Sequence, residues 1–580
     1  MASSSLLLSR RDLDFLLHEW LDVGALTARP RFADHSRETF DAVLDLAEQV
    51  ATRDFAPHNR RNDSEEPRFE DGRVVLHEEI GRALARFAEA GFVGCAMDAE
   101  LGGMQLPATV AQAVMGWFHA ANVGTAAYPL LTMANANLLA AHGSPEMVDT
   151  WVRPMVEGRY FGTMCLSEPQ AGSSLADITT RAERQPDGSY RLTGSKMWIS
   201  AGEHDLSENI VHLVLAKVPG SPPGSKGISL FVVPKLLEDG TRNGVVLTGI
   251  NHKMGFRGTV NTVLAFEDAV GYLLGEENQG LPYMFHMMNE ARIGVGLGAT
   301  ALGYTGYLHA VDYARQRPQG RVGRDATQPQ VPIVEHADVR RMLLAQKSYV
   351  EGALALNLYC GRLVDEERTG PDPARAHLLL EMLTPIAKSW PSQWCLEANS
   401  LAIQVHGGYG YTREYPVEQL YRDNRLNPIH EGTHGIQALD LLGRKVVMQD
   451  GAGLALLAET ISGTVDRAVA SGGTPATYAV ALASTVERIV EVTQKVWGAG
   501  DVALSLANAT VYLEAVGHAV VAWMWLEQLL ACSGREGDFY DGKRQAAQYF
   551  FAWELPRTAP QLDLLASLDR TTLDMQDRWF

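Results

Sequence analysis

The sequence is poor in cysteine and in basic residues. It has five cysteines among 580 residues, which are scattered, odd in number and form no CxxC pair. This usage argues against a disulfide framework and suits reduced thiols packed in the core of a cytoplasmic protein. Lys and Arg total 50 against 69 Asp and Glu, and the formal net charge of −19 disfavours the phosphate attraction that most nucleic-acid binders need. We therefore expect no nucleic-acid partner.

The chain also lacks long low-complexity stretches and repeats of about 20–50 residues. The apolar run near its start, Leu6 to Leu8, is too short for a signal-peptide core, and its two arginines follow it rather than precede it. We expect neither an export signal nor a membrane span. Hydrophobic residues at 46% and charged residues at 21% are typical of globular proteins. Because 580 residues exceed what one core usually organises, several domains are expected.

The period of the hydrophobic pattern changes twice along the chain. Phe40, Val43 and Leu44 recur at helical spacing, whereas Val211 and Leu213 alternate with their neighbours as in a strand. After Gly280 the helical period returns and continues almost to the last residue. The pattern predicts an α+β multidomain protein with an N-terminal extension (1–39), a helical domain (40–160), an antiparallel β domain (161–279), a second helical domain (280–450) and an extra helical domain (451–580).

The segment His430-Glu-Gly-Thr-His434 matches the HExxH pattern, in which two histidines one helical turn apart bind zinc. However, Pro428 lies just ahead, and Gly432 and Gly435 would each cost a helix about 1 kcal/mol relative to alanine. A conventional third ligand is not evident downstream. We expect no metal site here.

A glycine-rich segment, Gly294-Val-Gly296-Leu-Gly298, looks at first like a dinucleotide-binding loop. That interpretation requires a strand that turns into a helix, whereas this segment follows the helical run from Met284 to Arg292. We expect these small residues to let two helices approach closely.

Several separated motifs occur in the order found in one enzyme family. Met164-Cys-Leu-Ser-Glu-Pro-Gln-Ala-Gly-Ser173, followed by Lys196-Met-Trp-Ile-Ser200, resembles the two flavin-contacting segments of acyl-CoA dehydrogenases. Over about residues 40–445 the resemblance continues, and the motifs that carry it are Tyr313-Ala-Arg-Gln-Arg317, Gln404-Val-His-Gly-Gly408, Glu414-Tyr-Pro-Val-Glu418, Arg422-Asp423 and Glu431-Gly-Thr433.

This resemblance implies the acyl-CoA dehydrogenase fold, with an antiparallel β domain between an α-helical domain and an α-helical bundle. The helical extension after Gly451 is similar to that of a longer bacterial branch, which includes fatty acyl-CoA and 3-(methylthio)propanoyl-CoA dehydrogenases. The extension indicates the chain length and the assembly of the protein, but says less about which acyl-CoA is its substrate.

The resemblance implies an FAD-dependent oxidoreductase of fatty acid β-oxidation and lipid metabolism. Glu431 would abstract the α-proton of an acyl-CoA, flavin N5 would take the β-hydride to give a trans-2-enoyl-CoA, and an electron-transferring flavoprotein would accept the electrons. One alternative is an acyl-CoA oxidase that uses O₂. Another is a non-catalytic, flavin-bearing, DNA-associated stress protein, which the presence of Glu431 and the balanced charges of residues 451–580 disfavour.

By resemblance, further residues bind flavin or substrate. FAD contacts in the same chain are expected from Leu166, Ser167, Ser173, Trp198, Ser200 and Thr433. The FAD of a neighbouring subunit is expected to be reached by Arg317, Gln404 and Gly408, so the family pattern implies a homodimer. Substrate contacts are expected from Ser173, Asn289, Arg292 and Gly432.

Some of these positions have ordinary structural explanations. Trp198 in a period-two segment would normally be a core residue, and Ser167 and Ser200 would otherwise serve strand-end hydrogen bonds. Arg292 is equally compatible with a role as the buried ion-pair partner of Glu290. These alternatives stay open at the level of sequence.

The sequence departs from the family pattern beside the expected base. His430 stands where tyrosine is common, and it is either neutral packing or a group that titrates near neutrality. Gln170 and Ser174 replace a glycine and an aspartate, and Asn289 stands where an aspartate is often found. These differences bear on substrate contacts and pH dependence rather than on the reaction class.

Overall fold

The computed structural model describes residues 5–323 and 327–580. These residues form two compact units, of which the first contains the segment up to Ala33, Pro107–Gly116 and Val295–Phe580, and the second contains Asp34–Leu106 and Trp117–Gly294. The α-helices are α1 (Arg10–Asp14), α2 (Arg37–Val50), α3 (Asn59–Ser64), α4 (Glu78–Glu89), α5 (Ala108–His142), α6 (Pro145–Met147), α7 (Arg153–Val156), α8 (Gly280–Gln316), α9 (Ala337–Thr369), α10 (Pro373–His406), α11 (Val417–Asn424), α12 (His434–Asp440), α13 (Ala452–Ser471), α14 (Gly473–Gly498), α15 (Val502–Leu506), α16 (Ala509–Ala531), α17 (Asp538–Tyr549), α18 (Thr558–Ala566) and α19 (Thr571–Asp574).

All strands of the described residues belong to the second unit. They are β1 (Arg68–Glu70), β2 (Arg73–Val75), β3 (Tyr160–Cys165), β4 (Arg181–Arg184), β5 (Tyr190–Ser200), β6 (Asn209–Lys217), β7 (Ile228–Pro234), β8 (Val245–Ile250) and β9 (Asn261–Leu273). The strands β1 and β2 form a separate antiparallel pair within the stretch for which the sequence predicts helices. The other strands form one sheet in the order β3-β6-β4-β5-β9-β7, with β8 on β9.

The α+β fold class is confirmed, but the expectation of an antiparallel β domain is wrong for two strand pairs. Strand β3 pairs with β6 in parallel along its whole length, and β4 meets β6 in parallel at one residue pair. The strand order also returns from β7 to β6, so the sheet closes into a ring. Hydrophobic alternation reports which face a side chain occupies, not the direction of the neighbouring strand, so the sequence did not contain this information.

The side chains of β6 alternate between two hydrophobic clusters, rather than between one cluster and solvent. Val214 and Ala216 pack in one hydrophobic cluster, whereas Val211, Leu213 and Leu215 pack in another. Successive strand side chains point to opposite faces, so a strand buried on both faces divides its residues in this way. The strand β6 therefore lies at the centre of the second unit and fixes the positions of its neighbours.

The N-terminal segment of the first unit is held by a buried cluster of charges. Lys543 on α17 contacts the carboxylates of Asp12 on α1 and Glu351 on α9, and its Nζ lies 2.9 Å from Glu351. The hydroxyl of Tyr304 donates a hydrogen bond to Asp12 at 2.9 Å. Because a buried charge is stable only when it is paired, these contacts fix α1 against α8 and α17.

The glycines of the glycine-rich segment lie inside α8, as expected, and not in a strand-to-helix turn. A Cβ placed on Gly296 would come within 1.9 Å of the backbone oxygen of Ala387 on α10. Pro391 has no N–H to donate to that oxygen within the helix, and the side-chain amide of Asn357 donates to it instead at 3.3 Å. The small residues therefore allow a close helix approach, in agreement with the sequence interpretation.

One helix of the first unit, α16, is long and apolar enough to cross a membrane. However, 83% of its most apolar window is buried inside the protein, and a core helix passes the same test of length and composition. Trp523 and Trp525 on this helix are among the fully buried side chains, which is typical of a packed core.

Candidate active site

Two predicted flavin-contacting segments lie side by side in the second unit. Leu166 and Ser167 follow directly after β3, and both are half-buried. The backbone oxygen of Ser167 accepts a hydrogen bond from the N–H of Met197 at 3.0 Å, which places the segment beside β5. The sheet therefore brings Leu166 and Ser167 next to the strand that carries Trp198.

Trp198 sits in a β-bulge with its side chain turned out of the core. The register between β5 and β9 shifts between Lys196 and Ile199, and Trp198 adopts a left-handed φ of 65°. Its side chain is 57% exposed, which is unusual for tryptophan and rules out the core role that a period-two segment would normally give it. Bulges near functional sites often re-aim a side chain in this way.

The exposed indole makes the end of β5 suitable for a planar aromatic group such as isoalloxazine. Ser200, two residues further along β5, accepts a hydrogen bond from the side chain of Asn261 at 3.2 Å and is half-buried. A flat apolar ring beside half-exposed hydroxyl groups is the combination expected of a cofactor-binding surface. The residues present thus fit a flavin.

A buried ion pair joins the segment after β3 to strand β5. Lys196 Nζ lies 3.0 Å from Glu168 Oε1 and donates to the backbone oxygen of Leu166 at 3.0 Å. Glu168 also accepts hydrogen bonds from the backbone N–H groups of Thr179 and Thr180 at 2.7 and 3.0 Å. Burial raises the pKa of Glu168, but Lys196 and these hydrogen bonds outweigh burial and hold that pKa at about 2.

The other predicted residues of the second unit are carried by the loop after β3 and by α8. Ser173 is exposed in the loop after β3, beyond the bridge between Glu168 and Ala171. Arg292 on α8 is buried, and its guanidinium contacts the side-chain oxygen of Asn289 at 3.5 Å. Asn289 and Arg292 therefore lie one turn apart on α8, whereas Ser173 lies in the loop after β3.

In the first unit, Glu431 occupies a strained turn just before α12. Its φ is 53° and that of Gly432 is 89°, so two consecutive residues are left-handed. Glycine adopts this conformation freely, but for glutamate it costs about 1–2 kcal/mol. Thr433 is the N-cap of α12, where its hydroxyl accepts a hydrogen bond from Ile436 N–H at 3.3 Å. The Glu-Gly-Thr motif is thus a turn and cap that hold the carboxylate-bearing residue in one conformation.

Buried side chains bind the backbone oxygens of this turn. Lys388 on α10 donates to the oxygens of Asn427 and Gly432, both at 2.7 Å. Gln437 donates to the oxygen of Glu431 at 3.0 Å. Strained conformations persist only when their surroundings over-determine them, and these bonds provide that determination.

The two histidines of the HExxH pattern are not on one helix. His434 is the first residue of α12, and His430 precedes it in the turn, so the geometry that the zinc interpretation requires is absent from this described segment. His430 contacts the side-chain oxygen of Asn427 at 3.0 Å. Burial, followed by the nearby charge of Lys388, lowers the pKa of His430 to about 3. His430 is therefore a neutral packing residue at physiological pH.

Two of the residues expected to reach a partner's FAD line one cavity of about 490 Å³ in the first unit. Arg317 is exposed, and its guanidinium lies 5.8 Å from the ring centre of Tyr409. Gln404 is exposed on the last turn of α10 but is not among the lining residues. The cavity is lined by Tyr313, Arg317, Gln319, Ile333, Val405, His406, Gly407, Gly408, Tyr409 and Thr412.

Sequence reasoning missed several residues that build these sites. Lys388 had a detectable signal, because it is a lone charge in the apolar helical run from Leu383 to Trp390. Glu168 and Lys196 stood inside the quoted motifs but were assigned no role. Tyr409 had no signal of its own, because only the fold places it beside Arg317.

Comparison with known proteins assigns the whole arrangement to one family. Three family models, described as the N-terminal, middle and C-terminal domains of acyl-CoA dehydrogenase, match residues 37–159, 163–269 and 278–446. A fourth, described as acetyl-CoA dehydrogenase C-terminal like, matches residues 457–576. The chain belongs to the acyl-CoA dehydrogenase family and is an FAD-dependent oxidoreductase that acts on acyl-CoA.

Individual relatives are similar to this chain over most of its length. The chain is 41% identical over 464 residues to a 3-methylmercaptopropionyl-CoA dehydrogenase of Ruegeria pomeroyi, covering 78% of each protein. It is 32% identical to the broad-specificity linear acyl-CoA dehydrogenase FadE5 of Mycobacterium tuberculosis, covering 98% of this chain and 99% of that protein. The crystal structure of a Bacillus anthracis acyl-CoA dehydrogenase complexed with FAD has the same fold, with a TM-score of 0.77, 20% identity, and coverage of 99% of this chain and 93% of that one.

Proposed function

We propose that this protein oxidises linear acyl-CoA thioesters to trans-2-enoyl-CoA, with Glu431 as the base that removes the α-proton. The observation that carries the proposal is the turn at Glu431 and Gly432, where a carboxylate-bearing residue is held in a left-handed conformation by buried donors. Strained backbone conformations cluster at active sites, where the surrounding structure holds them in place. A positioned carboxylate base typically contributes about 10²–10⁴ in rate.

The remaining residues bind and orient. The backbone N–H of Glu431 is proposed to donate to the thioester oxygen as charge develops there, and loss of one such donor typically costs about 3–4 kcal/mol. Trp198, Ser167 and Ser200 are proposed to hold the isoalloxazine, and Thr433 to contact the flavin. FAD, when bound, supplies the acceptor of the β-hydride at its N5 atom. Gly432, Asn289, Arg292 and Ser173 are proposed substrate contacts.

The substrate class is supported by the relatives. The Ruegeria protein is named for a short thioether acyl-CoA, and the Mycobacterium protein for linear acyl-CoAs of broad range. Both names describe unbranched chains, so we assign a linear acyl group to this protein. An electron-transferring flavoprotein is the proposed acceptor of the electrons.

We also propose that the protein is a homodimer and is located in the cytoplasm. Arg317 and Gly408 line an open cavity in one chain, and in the proposed homodimer they contact the FAD of the partner. The five cysteines are all buried and free, which suits a reducing cytoplasm.

The experiment is an anaerobic titration of purified yellow protein with linear acyl-CoAs of increasing length. We expect at least one of them to bleach the absorbance of the oxidised flavin. We also expect the product to be hydrated by an enzyme that acts on trans-2-enoyl-CoA. A branched acyl-CoA of equal carbon number is the matched control for the linear assignment. If no acyl-CoA in the series reduces the flavin, the proposed reaction is wrong; rapid peroxide production in air would instead identify an oxidase.

A further inference from the structure

We infer that Lys388 is a positioning residue for the catalytic turn, and that it acts on proton abstraction through Glu431. This inference rests on the proposed role of Glu431 as the base. Lys388 lies on α10 and its side chain is fully buried. A buried ammonium without acceptors would be very costly, so the oxygens that it contacts are an integral part of its environment.

The two oxygens that Lys388 binds are on either side of Glu431 along the chain. Asn427 O precedes the turn and Gly432 O follows it, each 2.7 Å from Nζ. One ammonium group therefore closes a loop of six residues that contains the strained Glu431. An ammonium can donate three hydrogen bonds, and charge-assisted bonds are about twice as strong as neutral ones.

The base of this loop is fixed by a chain of buried asparagines. Asn427 donates to Asn424 at 2.9 Å, and Asn424 donates to Asn399 at 2.7 Å. Asn399 in turn donates to the backbone oxygen of Leu302 on α8 at 2.9 Å. All three asparagines are buried, so packing and hydrogen bonds hold the Asn427 end of the loop. Lys388 transfers that rigidity to the Gly432 end, because it binds both ends at once.

The alternative is that Lys388 merely stabilises the helical bundle. These two roles differ in what they change. A positioning residue affects the rate of proton abstraction far more than binding, since a displacement of about 1 Å from the productive geometry costs about 10²-fold in rate. A purely structural residue would lower thermal stability and FAD content together and would leave the rate of correctly folded, FAD-loaded molecules unchanged.

The test compares Lys388→Met with wild type as FAD-loaded dimers in anaerobic stopped-flow. We expect flavin reduction by a linear acyl-CoA to slow by about 10²-fold. We expect the Kd for acyl-CoA, from the spectral shift of the oxidised flavin in the Glu431→Gln background, to change less than threefold when Lys388→Met is added. Lys445→Met, which removes another buried ammonium of the same unit, should reduce flavin at the wild-type rate per bound FAD.

A double variant separates this inference from the proposed function. If Lys388 acts through the carboxylate of Glu431 rather than through the backbone N–H of the turn, adding Lys388→Met to Glu431→Gln should slow the residual reduction by less than threefold, because the base is already gone. A full further loss of about 10²-fold in the double variant would overturn the inference while leaving Glu431 as the base. Wild-type reduction by Lys388→Met would overturn it equally. If Lys388→Met does not fold, Lys388→Arg is the variant to test. We expect it to reduce flavin at least about fivefold more slowly than wild type, and a wild-type rate would contradict the inference. Failure of wild type itself to be reduced would refute the proposed function instead.

Discussion

Lys196 and Glu168 form an ion pair at 3.0 Å in which neither side chain is accessible to more than about 1%. Lys196 belongs to β5, and Glu168 follows β3, so the pair joins the two segments that resemble flavin-binding motifs. The same ammonium binds the backbone oxygen of Leu166. The surface that carries Trp198 thus depends on a charge pair that solvent does not reach.

We predict that Lys196→Met destabilises the protein and weakens FAD binding. Removing one member of a buried pair leaves an uncompensated carboxylate, which typically costs about 3–5 kcal/mol. Urea unfolding followed by tryptophan fluorescence measures the loss, and FAD release by ultrafiltration measures binding. The double variant Lys196→Met, Glu168→Met should recover part of the stability, whereas the exposed Lys226→Met should change neither quantity. Wild-type stability in Lys196→Met would contradict a role for the pair.

Glu431→Gln should retain FAD and bind acyl-CoA but lose flavin reduction. The amide keeps the size and the left-handed turn, yet it cannot accept the α-proton, so we expect a loss of at least about 10²–10⁴-fold. Anaerobic stopped-flow at the oxidised flavin band measures the rate. Glu414→Gln, an exposed glutamate of the same unit, is the matched control. Reduction of the Glu431→Gln flavin at the wild-type rate would assign the base to another residue.

We predict that Arg317→Met weakens FAD binding in the proposed homodimer. A hydrogen bond to a charged group contributes about 1.5–3 kcal/mol, which corresponds to roughly 10–100-fold in affinity. Fluorescence of released flavin gives the affinity, and light scattering gives the assembly. Arg315→Met, two residues earlier and outside the cavity lining, should behave as wild type. Unchanged FAD affinity in Arg317→Met would remove this cavity from the flavin site.

The pH dependence of stability should carry a contribution from His430. Its pKa is about 3 in the folded protein against 6.5 for an ordinary histidine, so between these values the unfolded chain binds a proton that the folded chain does not. The contribution is therefore complete above pH 6.5 and is lost as pH falls toward 3, at up to about 1.4 kcal/mol per pH unit.

His430→Gln should flatten that decline between pH 6.5 and 5 and leave the pH profile of flavin reduction above pH 7 unchanged. Urea titrations at several pH values measure the first quantity, and stopped-flow reduction measures the second. A displaced reduction profile would mean that His430 titrates beside the base after all.

Much of the fold was readable from periodicity and ordered motifs. The change of period near residues 161 and 280 marks where strands begin and where α8 starts, because side-chain direction repeats every 2 residues in a strand and every 3.6 in a helix. The order of the motifs identified the family, because several separated matches in the same order are much less frequent by chance than any single match.

What the sequence did not reveal depends on contacts between distant residues. The left-handed backbone of Trp198 and Glu431 has no local signal, because neither residue type favours it. The parallel pairing of β3 and β6 and the acceptors of Lys388 are set by tertiary structure. The short hairpin of β1 and β2 was missed because three-residue strands are too brief to show a period.

The contact of Lys543 with Asp12 has a consequence for the order of synthesis. The first helix leaves the ribosome early, but its buried carboxylate acquires its ammonium partner only when α17, near the other end of the chain, has been made. Until then the carboxylate of Asp12 would be buried without the ammonium of Lys543, so we expect α1 to dock less firmly while the intervening helices fold. Formation of α17 is thereby coupled to docking of α1, and we expect a chain that stops before Lys543 to be cleaved more readily by proteases near α1.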